Sequence, residues 1–202
     1  RTFFREWENP GSVLQRTGNT SGSSVCNNEK QLKQNNMKKL NLGVIGTGRI
    51  GKVHIATLVQ NVPEANVVAI ADVNLSSATE VANAFGIKTV CESHLEVINN
   101  RDVEAVVICS PTDTHARYII DASNAGKHIF CEKPVDLSIE VIKGALDAVN
   151  KSGIRFMVGF NRRFDPNFLK LKQMVSNGKI GHPHVIKITS RDPNPPSAQY
   201  AA

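Results

Sequence analysis

From Leu40 onward the chain alternates short, largely apolar runs with amphipathic stretches. The runs are Leu40 to Ile45, Val67 to Ala71, Ala105 to Cys109, His128 to Cys131 and Phe156 to Val158. A strand with one wet face alternates apolar and polar residues, whereas a strand buried on both faces of a parallel sheet is apolar throughout. These runs read as the second kind. Between them lie helical patterns. Ser77 and Glu80 have capping-box spacing, Ala78, Val81, Ala82 and Phe85 form one face, and Gly86 supplies a stop. A second helix is expected over about Ser138 to Lys151, with Ile142, Ala145, Leu146 and Val149 inward and Gly153 closing it. Strand and helix in alternation imply a doubly wound α/β domain with right-handed crossovers.

The pattern stops on both sides of this region. Residues 1–36 hold few apolar side chains, and Gly18 to Ser24 and Asn27 to Asn36 have the composition of a disordered leader. Met37-Lys38-Lys39 directly precedes the first strand, so Met37 is read as the natural start and residues 1–36 as upstream sequence. Residues 37–159 form the α/β domain. Residues 160–202 start something else: Asp165-Pro166 opens a helix carrying Phe168, Leu169, Leu171, Met174 and Val175, Gly178 ends it, and His184 to Thr189 alternates as a strand does. The tail Asp192 to Pro196 is proline-rich and leads to Ala202 without another element.

The length of 202 residues suits one complete domain rather than two. No stretch approaches the ~20 apolar residues of a membrane span, and residues 1–10 lack a secretory apolar region, so a cytoplasmic protein is expected. The cysteines (Cys26, Cys91, Cys109, Cys131) are far apart, without C-x-x-C or clustered histidines; neither a metal site nor a disulfide framework is expected. The net charge is +6, but Lys and Arg are scattered rather than gathered with aromatics on one element. Nucleic-acid binding is therefore not expected.

Gly46-Thr47-Gly48-Arg49-Ile50-Gly51 fits G-x-G-x-x-G. It follows a strand and opens a helix in which Val53, Ala56 and Val59 recur on one side. Helix N-terminal amides there can receive a pyrophosphate, with Gly46 for the turn, Gly48 for close approach and Gly51 for packing. The next strand ends at Asp72, about 20 residues past the last glycine, where a carboxylate binds ribose hydroxyls and repels a 2′-phosphate. NAD is expected rather than NADP.

Two further turns leave strands at the same sheet edge. In Ser110-Pro111-Thr112-Asp113-Thr114-His115, Pro111 cannot extend a ladder and a hydroxyl or carboxylate can cap the next helix. For His115, a capping or surface place and a ligand contact both remain open. In Glu132-Lys133-Pro134 the lysine is placed to donate to a substrate oxygen, and Pro134 suits a turn with a cis bond. Alone, such a lysine is more often a solvated charge, and only its place at a strand end lifts it above that.

The glycine turn, Ser110-Pro111-Thr112 with His115, Cys131-Glu132-Lys133-Pro134, and Gly159-Phe160-Asn161-Arg162-Arg163-Phe164-Asp165, in that order, resemble the Gfo/Idh/MocA oxidoreductases, most of all the bacterial inositol 2-dehydrogenases. The resemblance covers about Met37 to Pro196. It implies a doubly wound parallel (Rossmann) sheet followed by the start of an α+β second domain. It further implies that Gly46, Thr47, Gly48, Arg49, Ile50, Gly51 and Asp72 hold NAD, that Ser110, Pro111, Thr112 and His115 border the nicotinamide, and that Glu132 contacts its ribose. Lys133 matches the catalytic lysine and Arg162 a position near the substrate, a polyol or sugar. Full-length members form homo-oligomers through the second domain.

In the family an Asp and a His, the latter a proton acceptor, come downstream of the equivalent of Tyr200. This chain reaches Ala202 first, and His182 and His184 do not match them. The expectation is a member truncated at its carboxyl end, oxidising myo-inositol or a related polyol hydroxyl to a ketone. The alternative is a dinucleotide-binding fragment or sensor without catalysis. Asn161, Arg162 and Arg163 either face a hydroxyl-rich ligand or brace the domain joint through an ion pair with Asp165.

Overall fold

The computed structural model describes residues 38–191. The readings of residues 1–36, Met37, Cys26 and the tail from Asp192 lie outside the described residues. Six parallel strands, β1 (Leu40–Ile45), β2 (Ala65–Ala71), β3 (Thr89–Cys91), β4 (Ala105–Ile108), β5 (His128–Cys131) and β6 (Phe156–Val158), pair in the order β3-β2-β1-β4-β5-β6. Strand direction of winding reverses between β1 and β4, so the turns leaving those two strands part and open a crevice at the sheet's carboxyl edge.

Helices cover both faces. On one side α1 (Arg49–Asn61) and α2 (Leu75–Phe85) bury Ile55, Ala78, Val81 and Ala82 against Val44, Ile70 and Val107. On the other, α3 (His94–Asn99), α4 (Thr112–Asn124) and α5 (Ile139–Ser152) bury Val97, Ile119, Ala122, Ala145 and Val149 against Ile45, Val106 and Ile108. With apolar packing on both faces, β1 from Leu42 onward and all of β4 need no polar alternation, which is why Leu42 to Ile45 and Ala105 to Ile108 are unbroken apolar runs. Gly86 and Gly153 end α2 and α5 in the left-handed conformation, as their positions predicted.

Several local expectations are corrected. The α1 residues turned inward are Gly51, Ile55 and Leu58; Val53 and Val59 are exposed and Ala56 is half-buried. Gly51 packs against the Gly46 carbonyl, which fixes the helix's rotation and brings in the positions four and seven residues on. Ser77 does not cap α2. Asn74 does, accepting from the Ser77 N–H at 3.1 Å, while the capping box belongs to α3, between Ser93 and Glu96. Leu146 of α5 is exposed and Ile142 half-buried, leaving Ala145 and Val149 as the buried pair. The three-residue β3 was absent from the apolar runs, being too short and too polar at Thr89 to register.

Beyond β6 a 3-10 turn (Asn161–Arg163) leads into α6 (Pro166–Ser176), capped by Asp165, whose Oδ1 accepts from the N–H groups of Asn167 and Phe168. The strand expected over His184 to Thr189 is not formed; Val185, Ile186 and Ile188 stand exposed. Alternation supplies a strand's two faces, but ladder hydrogen bonds require a neighbour, and none of the described strands pairs with this segment.

Candidate functional site

The glycine turn is shaped by what crowds it. Gly46 has φ +96°, and a Cβ there would lie 2.7 Å from the backbone of Cys109 and Ser110. Only glycine accepts both that conformation and that approach of β1's exit to β4's. Gly48 differs: nothing lies within 4 Å of where its Cβ would be. Gly48 is the N-cap of α1 and makes no side-chain cap, and the first turn of α1 carries no acid. The leading N–H groups of α1 therefore have neither an intrahelical partner nor a competing carboxylate. An open backbone face beside uncapped amides fits the pyrophosphate of a dinucleotide. Arg49 and Ile50 are exposed on that first turn.

Thr47, by contrast, is fully buried and turned toward β2. Its N–H and hydroxyl both donate to Asp72 Oδ2, at 2.7 and 2.8 Å, while Oδ1 accepts from the Asn74 N–H at 2.9 Å. Burial pushes the Asp72 carboxyl up. The hydrogen bonds from Asn74 and Thr47, with the Lys52 charge, outweigh burial and hold it below its ordinary value of 3.8. Asp72 is thus a fixed, half-buried carboxylate at the end of β2, oriented by the turn it supports.

After β4, the Ser110 and Thr114 hydroxyls lie 2.6 Å apart, and Thr114 Oγ1 donates to the Pro111 carbonyl at 2.7 Å. Pro111 itself is the N-cap of α4, with no side-chain cap, and Thr112 begins the helix. His115 is neither at the surface nor a cap, which sets aside one of the two readings the sequence left open. It is 2% exposed, with Nδ1 2.8 Å from the Pro134 carbonyl oxygen and Nε2 2.8 Å from that of Ser110. The ring thus joins the turn after β4 to the turn after β5.

After β5, the Lys133–Pro134 bond is cis, as the turn suggested. The Glu132 N–H donates to the Ile108 carbonyl at 2.9 Å and keeps the turn on the ladder, and Glu132 Oε2 accepts from the Lys133 N–H at 3.2 Å. Lys133 is exposed, and its ammonium has no partner among the described residues. A residue missed in the sequence enters here. His54 on α1 donates from Nε2 to Glu132 Oε1 at 2.7 Å, and its ring meets Phe130 edge-on at 5.2 Å between centroids. Only its place one turn past Gly51 hinted at this, because a helix position says nothing about which distant strand it meets.

Arg162 lies in the 3-10 turn with its guanidinium 5.4 Å from the Phe168 ring centroid, and Arg163 packs similarly on Phe160 at 6.0 Å. The proposed ion pair with Asp165 is not formed; that carboxylate caps α6 instead. Cys109 and Cys131 end or follow their strands beneath the turns, and burial, with the Glu132 charge, pushes both thiols up to about 12. Among the described residues no group of three His, Cys, Asp or Glu side chains has the spacing of a metal site, and no helix is long and apolar enough to cross a membrane.

A likeness to known proteins spans these turns. A family model described as "Oxidoreductase family, NAD-binding Rossmann fold" matches residues 40–160. The uncharacterized oxidoreductase YrbE of Bacillus subtilis is 45% identical over 163 residues, which are 81% of this chain and 48% of the relative. A myo-inositol 2-dehydrogenase of Thermotoga maritima is 42% identical over 161 residues, 80% of this chain and 48% of that protein. The crystal structure of scyllo-inositol dehydrogenase from Lactobacillus casei with bound NAD(H) and scyllo-inositol is 34% identical, with a TM-score of 0.69 over 71% of this chain and 43% of that one. The chain spans about half the length of the curated relatives it matches. The family match over residues 40–160 takes in β1, the glycine turn, Asp72, Glu132-Lys133-Pro134 and Phe160, and the chain belongs to the GFO/IDH/MocA oxidoreductases, a family with an NAD-binding Rossmann fold.

Proposed function

We propose that this chain is the dinucleotide-binding, lysine-bearing part of an NAD-dependent dehydrogenase that oxidises a hydroxyl of myo-inositol, or of a related polyol or sugar, to a ketone. One observation carries the reading: Lys133 stands at the sheet edge that holds the glycine turn, its backbone tied down on both sides and its ammonium unpaired among the described residues. In this reading the amides of Gly48 to Gly51 receive the pyrophosphate, and Asp72 accepts from the adenosine ribose hydroxyls. Its fixed negative charge favours NAD over a 2′-phosphorylated cofactor. Glu132 faces the nicotinamide ribose, and Ser110, Pro111 and Thr112 border the nicotinamide. Bound NAD supplies the hydride acceptor. Lys133 would donate to the substrate oxygen and steady the charge that develops there while the hydroxyl proton passes to a base, the role that the family resemblance gives to a histidine downstream of the equivalent of Tyr200. Arg162 lies toward the substrate side. Inositol is the substrate that the Thermotoga and Lactobacillus relatives carry in their names.

A second reading is a chain that holds the dinucleotide without turnover. The exposure of the α6 apolar side chains Phe168, Leu169 and Leu171, with that of Val185 to Ile188, is on its side, because those surfaces await a partner. Calorimetric titration with NAD and with NADP, on the native chain and on Asp72→Ala, tests the binding half; appearance of reduced cofactor on adding myo-inositol tests the catalytic half. NAD preferred and weakened by the substitution, with turnover, supports the dehydrogenase. The same binding without turnover supports the second reading, and no binding by folded protein defeats both.

A further inference from the structure

We propose that His54 is a positioning residue for Lys133: it transmits the placement of the glycine helix to the lysine turn through the carboxylate of Glu132. This rests on the reading of Lys133 as the lysine that meets substrate. The chain of contacts is short. His54 Nε2 donates to Glu132 Oε1 at 2.7 Å, and the other oxygen of the same carboxylate, Oε2, accepts from the Lys133 N–H at 3.2 Å. One side chain of α1 and one backbone N–H of the β5 turn therefore share a single carboxylate.

Three features make the link directional. The His54 ring is set by its edge contact with Phe130 of β5, two residues before Glu132, and Glu132, just past the end of that strand, stays in step with the ladder through its N–H bond to the Ile108 carbonyl. Gly159, the residue after β6, backs the carboxylate: a Cβ there would lie 3.1 Å from both Glu132 Oε1 and the Phe130 ring. Glu132 is confined between His54 and Gly159, its side chain 16% exposed and that of His54 25%. A carboxylate held this way, next to a helix whose N-terminus receives the cofactor, gives the lysine a position referenced to the dinucleotide rather than to its own flexible stem.

The test compares His54→Phe, which keeps the ring contact and loses the donor, with His54→Gln, which keeps a donor. Residue-resolved amide hydrogen exchange on the free protein reads the link directly. In His54→Phe the Lys133 amide is expected to exchange about fivefold faster, with His54→Gln close to the native rate and the Glu132 amide, bonded to Ile108, unchanged in both. Where turnover is measurable, His54→Phe lowers kcat about tenfold, with the KM for NAD changed much less, and His54→Gln restores most of it. An unchanged Lys133 amide in His54→Phe, or a glutamine that restores nothing, overturns the proposal. Gly159→Ala is a second, independent displacement of Glu132 and is expected to speed the same amide. Absence of NAD binding by the native chain would sink the dehydrogenase reading, and the exchange rates would still decide the role of His54.

Discussion

Thr47 places both its N–H and its hydroxyl on one oxygen of Asp72, at 2.7 and 2.8 Å, across 25 residues of chain. The glycine turn and the acid at the end of β2, two features of a dinucleotide site that sequence patterns treat as separate, are thus one hydrogen-bonded unit. Removing the hydroxyl alone leaves the N–H in place and takes one charge-assisted bond from a buried position. Thr47→Val is expected to destabilise the fold by about 1.5 kcal/mol, read from the urea midpoint at neutral pH.

The same unit sets an acid limit. Because the Asp72 carboxyl is held below 3.8 in the fold, its ionised form stabilises the native state at every pH above that unfolded value. That contribution is lost as pH falls through the folded value. Urea midpoints measured from pH 6 down to pH 3 should decline, and Asp72→Asn should flatten the part of the decline near and below pH 4. An identical slope in the variant would mean that other carboxylates carry the acid sensitivity.

The glycines of the turn separate fold from ligand. A Cβ at Gly51 would collide with the Gly46 carbonyl oxygen, a backbone atom that cannot swing away, whereas one at Gly48 meets nothing. Gly51→Ala should cost about 3 kcal/mol or prevent folding, as seen by thermal unfolding. Gly48→Ala should melt within a few degrees of the native chain yet weaken NAD at least about tenfold, because the added methyl projects where the pyrophosphate approaches. Normal NAD affinity in Gly48→Ala would move the phosphates away from this turn.

Cys109 and Cys131 provide a chemical readout of packing. With thiols pushed up to about 12 by burial, neither forms the reactive thiolate at pH 8, so iodoacetamide should leave both unmodified in native protein and alkylate both after denaturation. The sign for stability follows: the unfolded thiols ionise near 9 and the folded ones do not, so stability should fall as pH rises from about 9 toward 12. Peptide mass spectrometry reads the first outcome and urea midpoints the second.

The segment past Phe160 exposes the Phe164, Phe168 and Leu171 side chains, along with Ile186 and Ile188. A chain ending at Phe160 keeps all six strands and sheds that surface. It is expected to stay monomeric at higher concentration and to bind less of an apolar dye than the full chain. Light scattering showing more aggregation in the shorter chain would mean that α6 covers apolar surface of the α/β domain.

What the sequence determined by itself was what short-range rules govern. Strands buried on both faces must be continuously apolar, so β1, β2, β4, β5 and β6 were legible within two residues, and glycines at helix ends marked Gly86 and Gly153 because αL geometry excludes most side chains. The glycine turn, Asp72 and Glu132-Lys133-Pro134 were legible as candidates for the same reason: each lies where a strand ends. Tertiary structure decided everything that depends on which surfaces meet. It rotated α1 so that Ile55 rather than Val53 faced the sheet, and it buried His115 between two carbonyls. It set His54 against Glu132 and left the His184 to Thr189 alternation without a neighbouring strand. Periodicity specifies a face, but the identity of its partner is a long-range contact, and no local pattern encodes it.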